Sequence, residues 1–482
     1  MKKQVIYFLL IVTTIITSCT KSNDDPAIIL PVISTVIEVS GDVSTNTTWT
    51  ANKIYLLKGF VYVTEGATLT IEPGTIIKGD KLTKGSLVIT RGSKINATGT
   101  LDKPIVFTSN QAAGSRNTGD WGGVIILGKA PVNQVGGEVV IEGGLTPTGG
   151  GTPSKYTTYG GTVPTDNSGI LKYVRIEYSG VPFAPDNEIN GLTLGGVGSG
   201  TVLDYIMIYR SGDDAFEWFG GTVNAKHLIS VGALDDDFDT DFGYSGKVQF
   251  GLAQRYPTIA DVSGSNGFES DNDGAGSNFM PLTSAVFSNM SVSGPRTTPA
   301  LSLNANYQHA VQIRRSSSIS IYNSVFADYV EGIYIDDSKI ATGGVKTSER
   351  LLGLTPTIFF KNNIIYNSNS KSTQIKADAS ILTALTTKLN VDNIFDATLL
   401  GNSLFTDPYK FSSDFASAGT PNFTLKAGTI ALLGASFTDA KVADTFFEKV
   451  AFKGAFGTDN WATGWVNFNP QVTTYTTPGA VN

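Results

Sequence analysis

The chain has one cysteine, Cys19, two histidines and four methionines among its 482 residues. A lone thiol cannot close an intramolecular disulfide, so no covalent framework holds the fold. His227 and His309 have no partner at metal or triad spacing, and each reads as a core or surface residue without chemistry of its own. Charged residues are sparse at 16% and sum to −7, with no basic stripe. That balance excludes a nucleic-acid partner, because phosphate binding needs clustered Lys and Arg. Long apolar runs are missing too. The one candidate, Val5 to Ile16, is shorter than the about 20 residues a membrane-spanning helix needs.

What the chain has is glycine, 53 residues of it, with many β-branched and aromatic side chains. This is the composition of a turn-rich all-β protein of the cell exterior. Leu69 to Ile77, Gly85 to Ile89 and Pro104 to Ser109 are short alternating segments that end at Gly or Pro, each a brief strand turning a corner. The phrases repeat. Leu171 to Ile176, ending in Ser179-Gly180, aligns residue for residue with Leu203 to Ile208, ending in Ser211-Gly212. Later copies are Phe287 to Val292, Ile321 to Phe326 and Phe360 to Ile365, with Asn289, Asn323 and Asn362 at one common place. Such a chain reads as a solenoid of parallel coils about 4.8 Å apart, in which stacked Asn side chains satisfy turn backbone. Asp120 to Gly128 reads as a coil and Thr146 to Pro153 as an exposed loop.

The solenoid is expected over residues 37–370. Residues 371–482 are expected to supply the final coils and a C-terminal cap that shields the last coil, with a short helix capped by Asp378 and carrying Ile381, Leu382, Leu385 and Leu389. Trp461, Trp465 and Phe468 form an aromatic cluster, expected to be buried against that cap, with a sugar face as the other reading.

The N-terminus reads as an export signal over residues 1–19: Lys2 and Lys3, the apolar run, then Ile16-Thr17-Ser18-Cys19. It resembles a bacterial lipoprotein signal, although the positions before Cys19 depart from the commonest lipobox. The resemblance implies lipidation at Cys19 and a flexible tether over residues 20–36. The acidic Asp24-Asp25 within it resembles the surface-export signal of Bacteroidota lipoproteins, which implies an outer-membrane, surface-exposed location.

Acid is concentrated in one region: Asp213, Asp214 and Glu217, then Asp235, Asp236, Asp237, Asp239 and Asp241. Asp213 to Asp235, Asp214 to Asp236 and Phe216 to Phe238 are all 22 residues apart, one plausible coil, so the aspartates should stack. Carboxylates about 5 Å apart repel by roughly 3 kcal/mol at an effective dielectric of 20, and a group of them needs a cation, donors or protons. Calcium is the economical answer, with its six to eight oxygen ligands and tolerance of irregular geometry. If extended, Asp235, Asp237, Asp239 and Asp241 aim to one side. A second candidate, Glu269-x-Asp271-x-Asp273-Gly274, has the alternating spacing of a short calcium loop but no distal acid of an EF-hand. No organic cofactor is indicated.

From about Ile37 to Gln471 the chain resembles secreted right-handed parallel β-helix proteins of the pectin-lyase-like type. In wording it resembles a Bacteroidota lipid-anchored family, through Gly119-Asp120-Trp121-Gly122-Gly123, Asn187 to Gly198, and Asp213 to Gly221. Asn422 to Gly428 also resembles a phrase near the ends of such proteins. The resemblance implies an all-β, single-stranded β-helix and no established activity. Gly212-Asp213-Asp214 resembles an element of the polygalacturonases, but His227 is followed by Leu228 and no Arg-Ile-Lys comes after it. The expected function is therefore a non-catalytic binding or structural module for a glycan, another envelope component or an outer-membrane protein complex. The alternative is a calcium-dependent polysaccharide lyase or glycoside hydrolase, with Asp213, Asp214, Asp236 and Arg210 as its acids and base and Arg314 and Arg315 as further basic candidates.

Overall fold

The computed structural model describes residues 35–184, 187–367, 374–410 and 419–482. Cys19, the export signal, the tether to residue 34 and the boundary at 370 lie outside the described residues. No helix among the described residues is long and apolar enough to cross a membrane.

Parallel pairing dominates. The strands build a parallel β-helix in which each coil lies in register on the one before. The 22-residue spacing is real: Ile206 pairs with Leu228 and Phe216 with Phe238. The aligned phrases stack as read, Leu171 on Leu203, Phe287 on Ile321 and Ile321 on Phe360.

The coils present three faces. The first runs from Thr47–Trp49, Thr68–Ile71 and Lys94–Thr98 into the opening halves of Gly169–Glu177, Val202–Tyr209, Asn224–Val231, Lys247–Gln254 and Val286–Ser293. Ile76–Gly79, Ile105–Ser109 and the closing halves of the same long strands make the second. The third stacks Ser86–Ile89, Val124–Leu127, Leu192–Gly195, Phe216–Phe219, Phe238–Asp241 and Phe268–Ser270. Period-2 alternation sends Leu194, Trp218 and Phe216 into a shared core with Leu171, Ile206 and Leu228.

Between the first two faces the strand bends at one residue per coil. Tyr173, Tyr205, His227, Phe250, Asn289, Asn323 and Asn362 all have φ between 50° and 63°, and the flanking registers place them one above another. A left-handed residue costs about 1–2 kcal/mol. Asn tolerates it best, and the aromatic members offset it by stacking: ring centroids are 4.5 Å apart for Tyr173–Tyr205 and 4.1 Å for Tyr205–His227. The Asn column is structural, as expected: its side chains bond within the coils, Asn323 donating to Ser288 Oγ at 3.2 Å, and also reach out of them. Asn289 donates to Phe452 O at 2.9 Å and Asn323 to Ser436 O at 3.1 Å. The ladder inside the coils is made by Asn363, which accepts from Ser324 N, and Asn393, which accepts from Asn363 N, each at 2.9 Å.

Residues 371–482 are expected to supply the final coils and a cap, and part of this segment does something else. The helix Leu382–Asp392 caps the end, burying Leu385 and Leu389 in the main core. Asp378 is not its N-cap. That position is Ile381, while Asp378 accepts from Ser380 N at 3.0 Å one turn earlier. After the hairpin of Phe405–Asp407 with Asn422–Leu425, the chain runs back along the second face as a strap. Phe456, Trp465 and Phe468 pack on Met207, Tyr209, Ile229 and Leu252. Tyr475 and Val481 end against Ile54, Ile76 and Val106 of the first coils. Outward apolar columns on that face require such a cover, each side chain removed from water being worth about 1.5–3 kcal/mol. Arg116 and Arg175 fasten it by donating to Pro470 O at 2.7 Å and Trp465 O at 3.2 Å.

Candidate functional site

On the third face inward positions are apolar and outward positions carry the acids. Phe216 and Phe238 stack inside at 5.8 Å. The register then places Glu217, Asp239 and Glu269 one above another outside. At the turn before these strands Asp214 accepts from Asp236 N at 2.8 Å, and Asp236 accepts from Asn266 N at 2.5 Å. The turn and the strand form one patch. Carboxylate oxygens lie within 4.8 Å of each other in three overlapping groups: Asp213, Asp214 and Asp235; Asp214, Glu217 and Asp239; Asp236, Asp239 and Glu269. Asp214 and Asp239 belong to two groups each, so the acids form a continuous string.

The string is recessed. Asp214, Glu217 and Asp236 are only 6%, 7% and 3% exposed. Burial first, then neighbouring carboxylates, raise Asp213, Asp214, Glu217 and Asp236 far above the usual range. The same holds for Asp239 and Asp241, and burial also raises Glu269. Burial pushes Asp235 up to about 6, with Ser263 Oγ donating to it at 2.7 Å in opposition. Unpaired charges at this density, each pair repelling by about 3 kcal/mol at an effective dielectric of 20, cannot all be carried without compensation.

The donor set fits a hard cation. Buried Asn190 gives its amide N–H to Glu217 and keeps Oδ1 without a hydrogen-bond partner, as do Asp235 Oδ1 and Asp239 Oδ1. All are neutral or anionic oxygens, the ligands calcium takes.

The structure draws the expected set differently in four places. Asp237 does not join the outward line, because it precedes the strand and turns inward, accepting from Ser230 Oγ at 2.6 Å and pairing with buried Arg255 at 3.3 Å. Asp271 is already neutralised, by Arg314 at 2.8 Å and Arg315 at 2.5 Å. Asp273 caps a turn, accepting from Ala275 N at 2.9 Å and from Ser277. The Glu269-x-Asp271-x-Asp273 segment is thus a strand edge and a turn, and only Glu269 belongs to the string, where it also meets Arg314. Asp241 stacks above Phe219 and binds Phe242 N at 2.6 Å, outside the three groups.

Arg210 sits elsewhere, beside Tyr178, Tyr209 and Tyr256, where its charge opposes the burial that raises those phenols. Of the histidines, His227 pairs with Asp204 at 2.8 Å in the aromatic column, and buried His309 meets Glu331 at 2.8 Å. Missed from the sequence were Asn190 and Asn266. Register aligns them with Asp214 and Asp236, two residues before Leu192 and Phe268. Glu142, from a flanking loop, and Glu188, from the short strand Asn187–Ile189, add charge felt by Asp213, and nothing in their spacing announced it.

Fold and face together define a parallel β-helix with a recessed acidic flank. The sequence profile of the pectate-lyase like beta helix domain matches residues 41–401, most of the chain, and the chain belongs to that family. Among solved structures, a crystal structure of pectate lyase Pel9A matches at 12% identity with a TM-score of 0.37, covering 88% of this chain and 86% of that one. The crystal structure of the Dettilon tailspike protein (gp208) matches at 10% identity and TM-score 0.23, covering 69% and 62%. No curated protein sequence matches this chain.

Proposed function

We propose that this protein is a lipid-anchored β-helix of the outer-membrane surface that binds an acidic glycan through calcium held on its third face, without cleaving it. One observation carries the reading: a continuous string of recessed carboxylates whose bordering guanidiniums, Arg314 and Arg315, are already committed to Glu269 and Asp271. When bound, calcium supplies an electrostatic bridge between protein and glycan carboxylates. A lyase needs a base beside the metal, and the candidate for that role, Arg210, lies among tyrosines.

The test is retention of the protein on immobilised polygalacturonate and alginate against neutral polysaccharides, with calcium and with chelator. Calcium-dependent retention on the acidic polymers without new unsaturated sugar ends is expected. Unsaturated product supports the lyase instead, and equal retention in chelator refutes the bridge. Anchoring rests on the order of basic residues, apolar run and Cys19 at the N-terminus. Cys19→Ser is expected to leave the membrane fraction, and unchanged fractionation refutes the anchor.

A further inference from the structure

The strap and the aromatic column enclose a second site, remote in character from the acidic face. Where the strap crosses the bend, a cavity of about 410 Å³ opens between two coils and the segment Leu432 to Trp461, a volume within the range of small-molecule sites. Its apolar walls are Phe250 from the coil and Phe452 and Trp461 from the strap. Its polar residues are His227, Glu448, Thr458, Asp459 and Asn460.

Asp459 and Asn460 have unused valence. His227 Nδ1 lies 2.8 Å from Asp204 Oδ1, and since a carboxylate only accepts, Nδ1 carries a proton and the imidazole is held in one orientation. The two ring faces of His227 are covered by Tyr205 and Phe250, at 4.1 and 5.2 Å, and Trp461 meets the ring in a T-shaped contact at 5.0 Å, so His227 serves as a packed part of the wall. Asn460 Oδ1 accepts from Ala462 N at 3.1 Å, which orients the side chain and leaves Nδ2 as a donor. Asp459 is exposed and has no hydrogen-bond or ion-pair partner among the described residues.

That constellation selects one chemistry. An organic cation would need an open aromatic face, but Trp461 is stacked on Phe456 at 4.6 Å with the rings 10° apart and is also met by the rings of His227 at 5.0 Å and Tyr205 at 6.1 Å. Glu448, also on the wall, is neutralised by Lys226 at 2.7 Å, which leaves a single free charge. A carboxylate that accepts, an amide that donates and an apolar wall match a neutral pyranose, with vicinal hydroxyls on the polar side and ring C–H groups on the apolar side.

We propose that the cavity between strap and coils is a binding site for a neutral pyranose unit, independent of the cation-bearing face. The test uses the full chain in chelator, with methyl pyranosides of glucose, galactose and mannose and neutral trisaccharides built from them, and choline as the cationic comparison. Binding is read by tryptophan fluorescence and saturation-transfer NMR. At least one sugar is expected to saturate in the millimolar range. Asp459→Ala, near the cavity mouth, is expected to weaken it about tenfold or more, the scale of a lost hydrogen bond involving a charged group, and Asn460→Ala by roughly three- to tenfold, the scale of a neutral one. Thermal unfolding of each variant checks that its fold is kept. Asp214→Asn on the acidic face is expected to leave sugar binding unchanged. No saturable response to any of these sugars, preferential binding of choline, or equal affinity in both folded cavity variants overturns the assignment. Loss of sugar binding in Asp214→Asn would overturn its independence from the acidic face.

Discussion

The second and third faces are built from the same coils and meet opposite problems. On the second, in-register stacking lines up Met207, Ile229 and Leu252 on the outside. On the third it lines up Glu217, Asp239 and Glu269. A solenoid multiplies whatever its outward positions carry. An apolar column has to be covered, and the chain covers it with its own C-terminal strap. The acid column is recessed yet left without a basic strap of its own, and the compensation must come from protons or a cation.

The contrast fixes the sign of mutational effects. The largest is expected from Trp465→Ala, which removes a fully buried side chain by which the strap holds the second face. A loss of about 3–5 kcal/mol in denaturant unfolding follows from large-to-small truncation. A loss below about 1 kcal/mol would mean that the strap is not part of the folding unit.

On the acidic face truncation should work the other way. Asp214→Asn removes a charge from two of the overlapping groups, and in chelator it is expected to stabilise the protein by about 1–3 kcal/mol, the scale of the repulsion relieved, while weakening its response to calcium. Asp271→Asn, two coil positions away, breaks the pairs with Arg314 and Arg315. It is expected to destabilise by about 1–3 kcal/mol with the calcium response kept. Same-sign effects for the two substitutions would merge what the geometry separates.

How much of this was legible in the sequence follows from what repeats. Parallel stacking shows wherever apolar phrases recur at coil spacing, so Leu171 on Leu203 and Phe216 on Phe238 could be paired by eye. The bend column was visible only at Asn289, Asn323 and Asn362. Tyr173, Tyr205, His227 and Phe250 share its backbone angle but not its chemistry. The strap was hidden because its contacts, such as Arg116 to Pro470, join residues 354 positions apart and obey no period. In the acidic site the coil repeat revealed the stacking of Asp214 and Asp236. It could not reveal that Asp237 turns to Arg255 or that Asp271 is taken by two arginines, since each depends on a partner outside the repeat.

The central claim, that the acid string is a cation site, is tested most directly by thermal unfolding of chelator-stripped protein across pH with and without millimolar calcium. Because the folded-state acids are raised, their protonated forms stabilise the cation-free protein at low pH, and that stability is lost as pH rises from near 3.8 through about 6 for Asp235, its neighbours Asp214 and Asp239 being raised in the same direction. The account predicts a melting temperature that falls from pH 5 to 8 in chelator. Calcium should restore it by several degrees at pH 8 and by little at pH 5, where protons compete. A melting temperature that is independent of calcium at pH 8 would contradict it.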